Sequence, residues 1–149
     1  MDRLTRGLVA GAAGTTALNM VTYLDMAVRG RPASSTPERS VEKIADMTGV
    51  ELGDGEKAEN RKAGLGPMLG FGTGLGAGLA YGVLTGRRGV PLPVAAVLLT
   101  ALAMVGSSAP MTALGLTDPR EWSATDWAVD AVPHLAYGAV AAGVYGALR

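Results

Sequence analysis

The sequence predicts an all-α, polytopic membrane protein, a bundle of four transmembrane helices forming one domain over residues 1–149. Three observations predict it. Four apolar segments are each long enough to cross a hydrocarbon core that needs about 20 helical residues. Gly66, Gly70, Gly74, Gly78, Gly82 and Gly86 recur at every fourth position through one of them. Hydrophobic residues make up 48% of the chain, and the mean hydropathy of +0.26 is high for a water-soluble domain.

The first span covers residues 4–28. Its apolar run from Gly7 to Val28 exceeds a signal-peptide core of about 7–15 residues. No small-x-small cleavage site precedes Arg29, so it reads as a retained helix. A polar segment, residues 29–63, follows. Within it Pro37 opens and Gly49 closes a short amphipathic helix over about residues 37–48. Val41, Ile44, Ala45 and Thr48 share one of its faces, suited to the membrane surface or to covering the bundle end. The acidic, glycine-containing stretch 51–59 reads as a mobile connection.

The second span, residues 64–85, carries the glycine row. In water it is a poor helix, since each interior glycine costs roughly 0.8–1 kcal/mol relative to alanine. In lipid the backbone has no other partner and the helix forms regardless. The glycines then make a smooth ridge for close helix packing. The row Gly138, Ala142 and Gly146 in the last span is the expected complement, and Gly7 with Gly11 a shorter one. A tight Arg87-Arg88 turn leads to the third span, residues 91–116, with Pro91 and Pro93 in its first turn. Asp118-Pro119-Arg120-Glu121 spells a capped helical turn. The fourth span covers residues 123–148, with Trp122 and Trp127 at its mouth, suited to an interfacial belt. Pro110 and Pro133 lie inside their spans.

A 2+2 parallel pseudo-repeat is legible. Thr16-Ala17-Leu18-Asn19-Met20 parallels Thr100-Ala101-Leu102-Ala103-Met104. Gly74, Gly78, Tyr81-Gly82 and Leu84 parallel Gly138, Ala142, Tyr145-Gly146 and Leu148. Two spans per half implies a pseudo-two-fold along the membrane normal. Arg3, Arg6, Arg87 and Arg88, in very short segments, place the termini in the cytoplasm of a bacterial inner-membrane protein.

Composition excludes several chemistries. The chain has no cysteine, so disulfides, thiolate metal sites and thiol catalysis are absent. One histidine rules out bis-histidine haem within the chain. A formal net charge of zero gives no case for nucleic acid. No nucleophile elbow and no strand-flanked glycine loop occurs, so no catalytic residue and no cofactor is assigned.

Polar groups inside spans are the candidates for function. Asp126, Asp130 and His134 follow one another at i, i+4 and i+8 in the fourth span, with Tyr137 next along. The first span brings Asp25, Tyr23 and, about a turn and a half deeper, Asn19 to the same side, and the third brings Ser107, Ser108 and Thr112. Two carboxylates and an imidazole at helical spacing can hold a cation or relay protons. The same residues also fit plainer roles: Ser123 and Asp126 as a cap, Asp130 as an ion-pair partner, His134 on a free carbonyl. Which metal, if any, they would take is left open by the sequence.

The text Asp118-Pro119-Arg120-x-Trp122-x-x-x-Asp126-Trp127-x-x-Asp130-x-x-Pro133-His134-x-x-Tyr137-Gly138, with Asn60-Arg61-Lys62-x-Gly64 ahead of the glycine row, carries a resemblance. It resembles small actinobacterial integral membrane proteins distantly similar to the YagU-like inner-membrane family. The resemblance implies a helical cytoplasmic-membrane protein and transfers no catalytic residue. The function expected first is a non-enzymatic assembly or accessory subunit, whose partners are the bilayer and a membrane protein or second copy. A proton- or cation-handling protein is the second expectation, and a membrane-embedded enzyme or binder of a lipid-soluble ligand the third.

Overall fold

The computed structural model describes residues 1–86 and 89–148. Arg87, Arg88 and Arg149, and with them the expected Arg87-Arg88 turn, lie outside the described residues. Five α-helices and one 3-10 turn make up the fold, with no strand among the described residues: α1 Arg3–Arg29, α2 Thr36–Thr48, α3 Gly55–Thr85, α4 Leu92–Ala113 and α5 Ala124–Ala147. Two of them, α3 and α4, are long and apolar enough to cross a membrane, with best-window mean hydropathies of 1.3 and 1.9. Alanine, glycine and threonine fill much of α1 and α5, which fall outside that class among the described residues.

Local chemistry sets most helix ends. Asp2 caps α1, its carboxylate accepting from Leu4 N at 2.9 Å and Thr5 N at 3.1 Å. Gly30 and Gly49 close α1 and α2 in the left-handed conformation. Ser123 and Asp126 form a reciprocal capping box at the start of α5. Pro67, Pro110 and Pro133 lie inside α3, α4 and α5 without ending them. The second half of the expected mobile stretch, residues 55–59, is helical. α3 begins at Gly55, because Glu56, Lys57, Ala58, Glu59, Arg61 and Lys62 are good helix formers. Lys62 reaches Glu59 at 2.7 Å and Glu42 of α2 at 3.6 Å, tying the two helices together. The glutamates beside it raise its pKa.

The Asp118 turn also forms, as the 3-10 turn Pro119–Glu121. The Arg120 guanidinium grips Asp118 at 2.7 Å and holds its carboxyl down to about 2, against an ordinary 3.8. The folded value lies below the unfolded one, so the contribution is full above the ordinary value and lost as pH falls through about 2. An NMR titration should give Asp118 a midpoint near 2. Arg120→Gln should raise that midpoint part of the way to the ordinary range, because the backbone N–H of residue 120 still donates to the carboxylate at 3.0 Å; an unchanged midpoint would remove the guanidinium as a cause.

α1 runs antiparallel between α3 and α5, and α4 packs on α5 and more lightly on α3. The glycine row explains the first contact. A Cβ at Gly7 would lie 2.5 Å from the Gly78 carbonyl oxygen, one at Gly11 2.6 Å from that of Gly74, and one at Gly82 2.5 Å from that of Arg3. The expected partner, the Gly138–Ala142–Gly146 row, is therefore not the partner. Gly138 instead meets Ala96 and Thr100 of α4, Ala142 enters the core and Gly146 faces open space. Of the six-glycine ladder, Gly74, Gly78 and Gly82 pack on α1, and Gly66 packs on Pro37 of α2. Gly70 has nothing near it, and Gly86 caps α3 with a positive φ. A helix can present only one strip of its surface to a straight neighbour, and the row's two ends leave that strip.

One local contact recurs. Thr15 of α1 lies where a side chain on Gly74 of α3 would go, and Thr100 of α4 lies where one on Gly138 of α5 would go. The match pairs Thr15, not Thr16, with Thr100.

The core is built of small residues and tyrosines: Ala10, Ala77, Ala95, Ala103, Ala141 and Ala142 around Leu99, Tyr81, Tyr137 and Tyr145. The larger aliphatic side chains point outward, with Leu84, Val97 and Val105 at 63–70% exposure. Only 28% of the apolar window of α3 and 22% of that of α4 is buried within the chain. At the end where the chain begins, Arg6 donates to the Tyr145 carbonyl at 2.7 Å and lies 4.1 Å over its ring.

Candidate functional site

A cavity of about 480 Å3 lies among α1, α3, α4 and α5, with α2 laid across its end. Its position follows from the elements. α2 turns back onto α3 because Pro37 seats on Gly66 and Val41 and Ala45 are buried there. The amphipathic helix thus packs along the first turns of α3, with Pro37, Glu38, Ser40 and Ile44 on the cavity lining. Leu18, Met26, Leu69, Phe71, Met111 and Leu114 line the cavity with apolar surface. Asn19, Ser107, Asp130, His134 and Tyr137 add polar groups.

Tyr137 forms the floor. It is fully buried, and its hydroxyl donates to the Gly74 carbonyl at 2.6 Å. Thr15 closes the same spot from α1 and donates to the Gly11 carbonyl at 2.8 Å. Ala10, Leu99 and Ala141, all without solvent exposure, belong to the same packed core as Tyr137. The cavity is therefore blind at this level.

His134 is buried, and its Nδ1 lies 2.7 Å from the Asp130 backbone carbonyl. Nδ1 therefore carries a proton and donates it there. Its distance to Asp130 Oδ2 is longer, 3.7 Å. Nε2 lies 3.4 Å from Ser107 Oγ, which itself donates to the Met104 carbonyl at 3.0 Å. One hydroxyl proton cannot serve both acceptors, so Nε2 keeps spare capacity. Asp130 Oδ2 is buried without a hydrogen-bond partner among the described residues.

Serine, imidazole and carboxylate in sequence suggest a nucleophilic triad, and the geometry argues against one. In such a triad the carboxylate orients the ring by accepting from Nδ1–H. Here the main chain accepts that proton, and the hydroxyl is committed to its own helix. The arrangement leaves the Asp130 side chain partly exposed beside an apolar chamber, with its Oδ2 sealed next to His134 and one imidazole nitrogen with capacity to spare.

The structure brings Asn19, Asp130, His134 and Tyr137 of the expected set to one cavity. It does not bring Asp25 or Asp126. Asp25 is held by Arg31 and, at 3.5 Å, by Arg29. Asp126 is exposed and spent on the cap, Ser123 N donating to it at 2.9 Å. Among the described residues no three His, Asp or Glu side chains gather to hold a metal ion. Glu38, Thr15 and Phe71 also line the cavity and carry no sequence signal for it. Nothing in a linear reading says that α2 packs along α3, which is what places Glu38 there.

Fold and site together define a helical bundle with a blind, apolar-walled, polar-floored chamber. No protein-family model matches the chain, and neither a curated protein nor a solved structure matches it.

Proposed function

We propose that the protein is a four-span integral membrane protein of the bacterial cytoplasmic membrane, with cytoplasmic termini, that holds a lipid-soluble molecule in this cavity without transforming it. The cavity carries the reading: about 480 Å3 of mostly apolar chamber with a few convergent polar groups is the form small-molecule sites take. The bilayer placement draws on the outward Leu84, Val97 and Val105 around a core of alanine and glycine. Water penalises so much contiguous exposed apolar surface, and helices in lipid pack through small residues. The recurring Thr–Gly contacts support α1–α3 and α4–α5 as two like pairs, and so four spans.

Proton or cation passage draws less support, since the polar groups stop at Tyr137. An accessory-subunit role has lost its inner ridge to α1 and rests on the outward Gly72 and Gly76.

The test is retention and extraction. Alkaline carbonate should leave the chain in the membrane, and organic extraction of the purified protein should release a lipid-soluble compound. Gly70 lines the cavity and has room for a side chain, so Gly70→Phe should fold and release none. Solubilisation by carbonate, or equal release from the variant, would defeat the reading.

A further inference from the structure

We infer that the cavity selects a cationic amphiphile, an organic amine on an apolar chain, with its head at Asp130 and His134. The inference rests on the reading of the cavity as a ligand site and adds the sign of the charge. The ionisable side chains on the lining are Glu38 of α2, Tyr23 of α1, and Asp130, His134 and Tyr137 of α5. No lysine or arginine is among them. Three basic residues have other partners: Arg31 holds Asp25, Lys62 holds Glu59, and Arg120 holds Asp118.

Neither lining carboxylate, Asp130 nor Glu38, is paired with a lysine or arginine among the described residues, and Asp130 is the more buried in the bundle. Its Oδ2 is buried and unpaired among the described residues, and the one cation that faces it, His134 when protonated, sends its Nδ1 proton to the main chain. A buried carboxylate oxygen without a donor is costly. A primary ammonium supplies up to three N–H donors. One can reach the part of the Asp130 carboxylate that stays accessible, 24% of the side chain, and offset the charge that the buried Oδ2 cannot share, leaving other donors for neighbouring acceptors. Phe71 and Tyr23 also line the cavity, and aromatic rings attract cations. Glu38 adds a second negative charge on the α2 side. A fatty acid would bring a like charge to both carboxylates. A fatty alcohol brings a single donor and no charge.

The experiment keeps the tail constant and changes the head. Full-length protein in nanodiscs of phosphatidylcholine is titrated with radiolabelled dodecylamine, dodecanol or laurate, with empty nanodiscs as the background. Dodecylamine should bind saturably and about tenfold or more tighter than dodecanol, the effect of roughly one charge-assisted hydrogen bond. Laurate should bind weakest. Asp130→Asn, which keeps the shape, should abolish the preference for amine over alcohol. Dodecanol or laurate binding as tightly as the amine, still blocked by Gly70→Phe, would overturn the charge selection and leave the ligand site standing. No saturable binding of any of the three would overturn both. The head-group series on the unaltered protein decides the matter even if Asp130→Asn fails to fold.

Discussion

Replacing Gly78 by leucine is expected to leave no folded protein. A Cβ at this position would run into the Gly7 carbonyl oxygen and lie 2.8 Å from Cα and N of Gly11. These are backbone atoms, and they cannot rotate away as a side chain would. The whole of α1 would have to lift from α3, and close approach through small residues is what holds helices together in lipid. Gly70→Leu is the matched control. It stands two turns away on the same row, meets nothing within 4 Å, and relieves part of glycine's helix penalty. Size-exclusion chromatography in mild detergent should give a monodisperse peak for Gly70→Leu and aggregate or no yield for Gly78→Leu. Wild-type yield of Gly78→Leu would mean that α1 and α3 do not meet along this row.

The second large effect belongs to Tyr137. Its ring fills the space left by Gly14, where a Cβ would lie 2.7 Å from the ring, and its hydroxyl reaches the Gly74 carbonyl. Tyr137→Ala should cost about 3–5 kcal/mol, the range for truncating a buried aromatic residue. Most of a domain's net stability of about 5–15 kcal/mol can vanish with such a loss. Tyr137→Phe removes only the interhelical hydrogen bond and should cost about 0.6–1.7 kcal/mol. Unfolding titrations of the two variants in mixed micelles separate ring from hydroxyl. Equal losses would assign the stability to the hydrogen bond and not to packing.

Features set by neighbours in sequence were legible before the structure. The cap at Ser123–Asp126, the turn after Asp118 and the left-handed stop at Gly49 are each decided within four residues. Helix pairing was not legible in the same way. The spacing of Gly74, Gly78 and Gly82 announces a close-packed face, but two other helices offered small residues. The choice of Gly7 and Gly11 over Gly138 depends on which helix lies alongside. The candidate site divides likewise. Asp130, His134 and Tyr137 share a helical face, so the sequence groups them. Asp126 shares it too, yet the cap claims its carboxylate, and Asp25 is claimed by Arg29 at the end of its own helix and Arg31 just past it. Glu38 joins only because Gly66 admits Pro37 and lets α2 lie down over the cavity.

The contact between α1 and α5 couples assembly to the order of synthesis. α1 has α5, the helix farthest from it along this sequence, as one of its two main partners. Until α5 arrives, Arg6 has no ring to rest on, Gly14 faces no tyrosine, and one side of α1 is uncovered. A chain stopped after α4 would expose the small residues of α1 as an open groove. Quality-control proteases that survey unpaired helices could read that groove as the mark of an unfinished molecule.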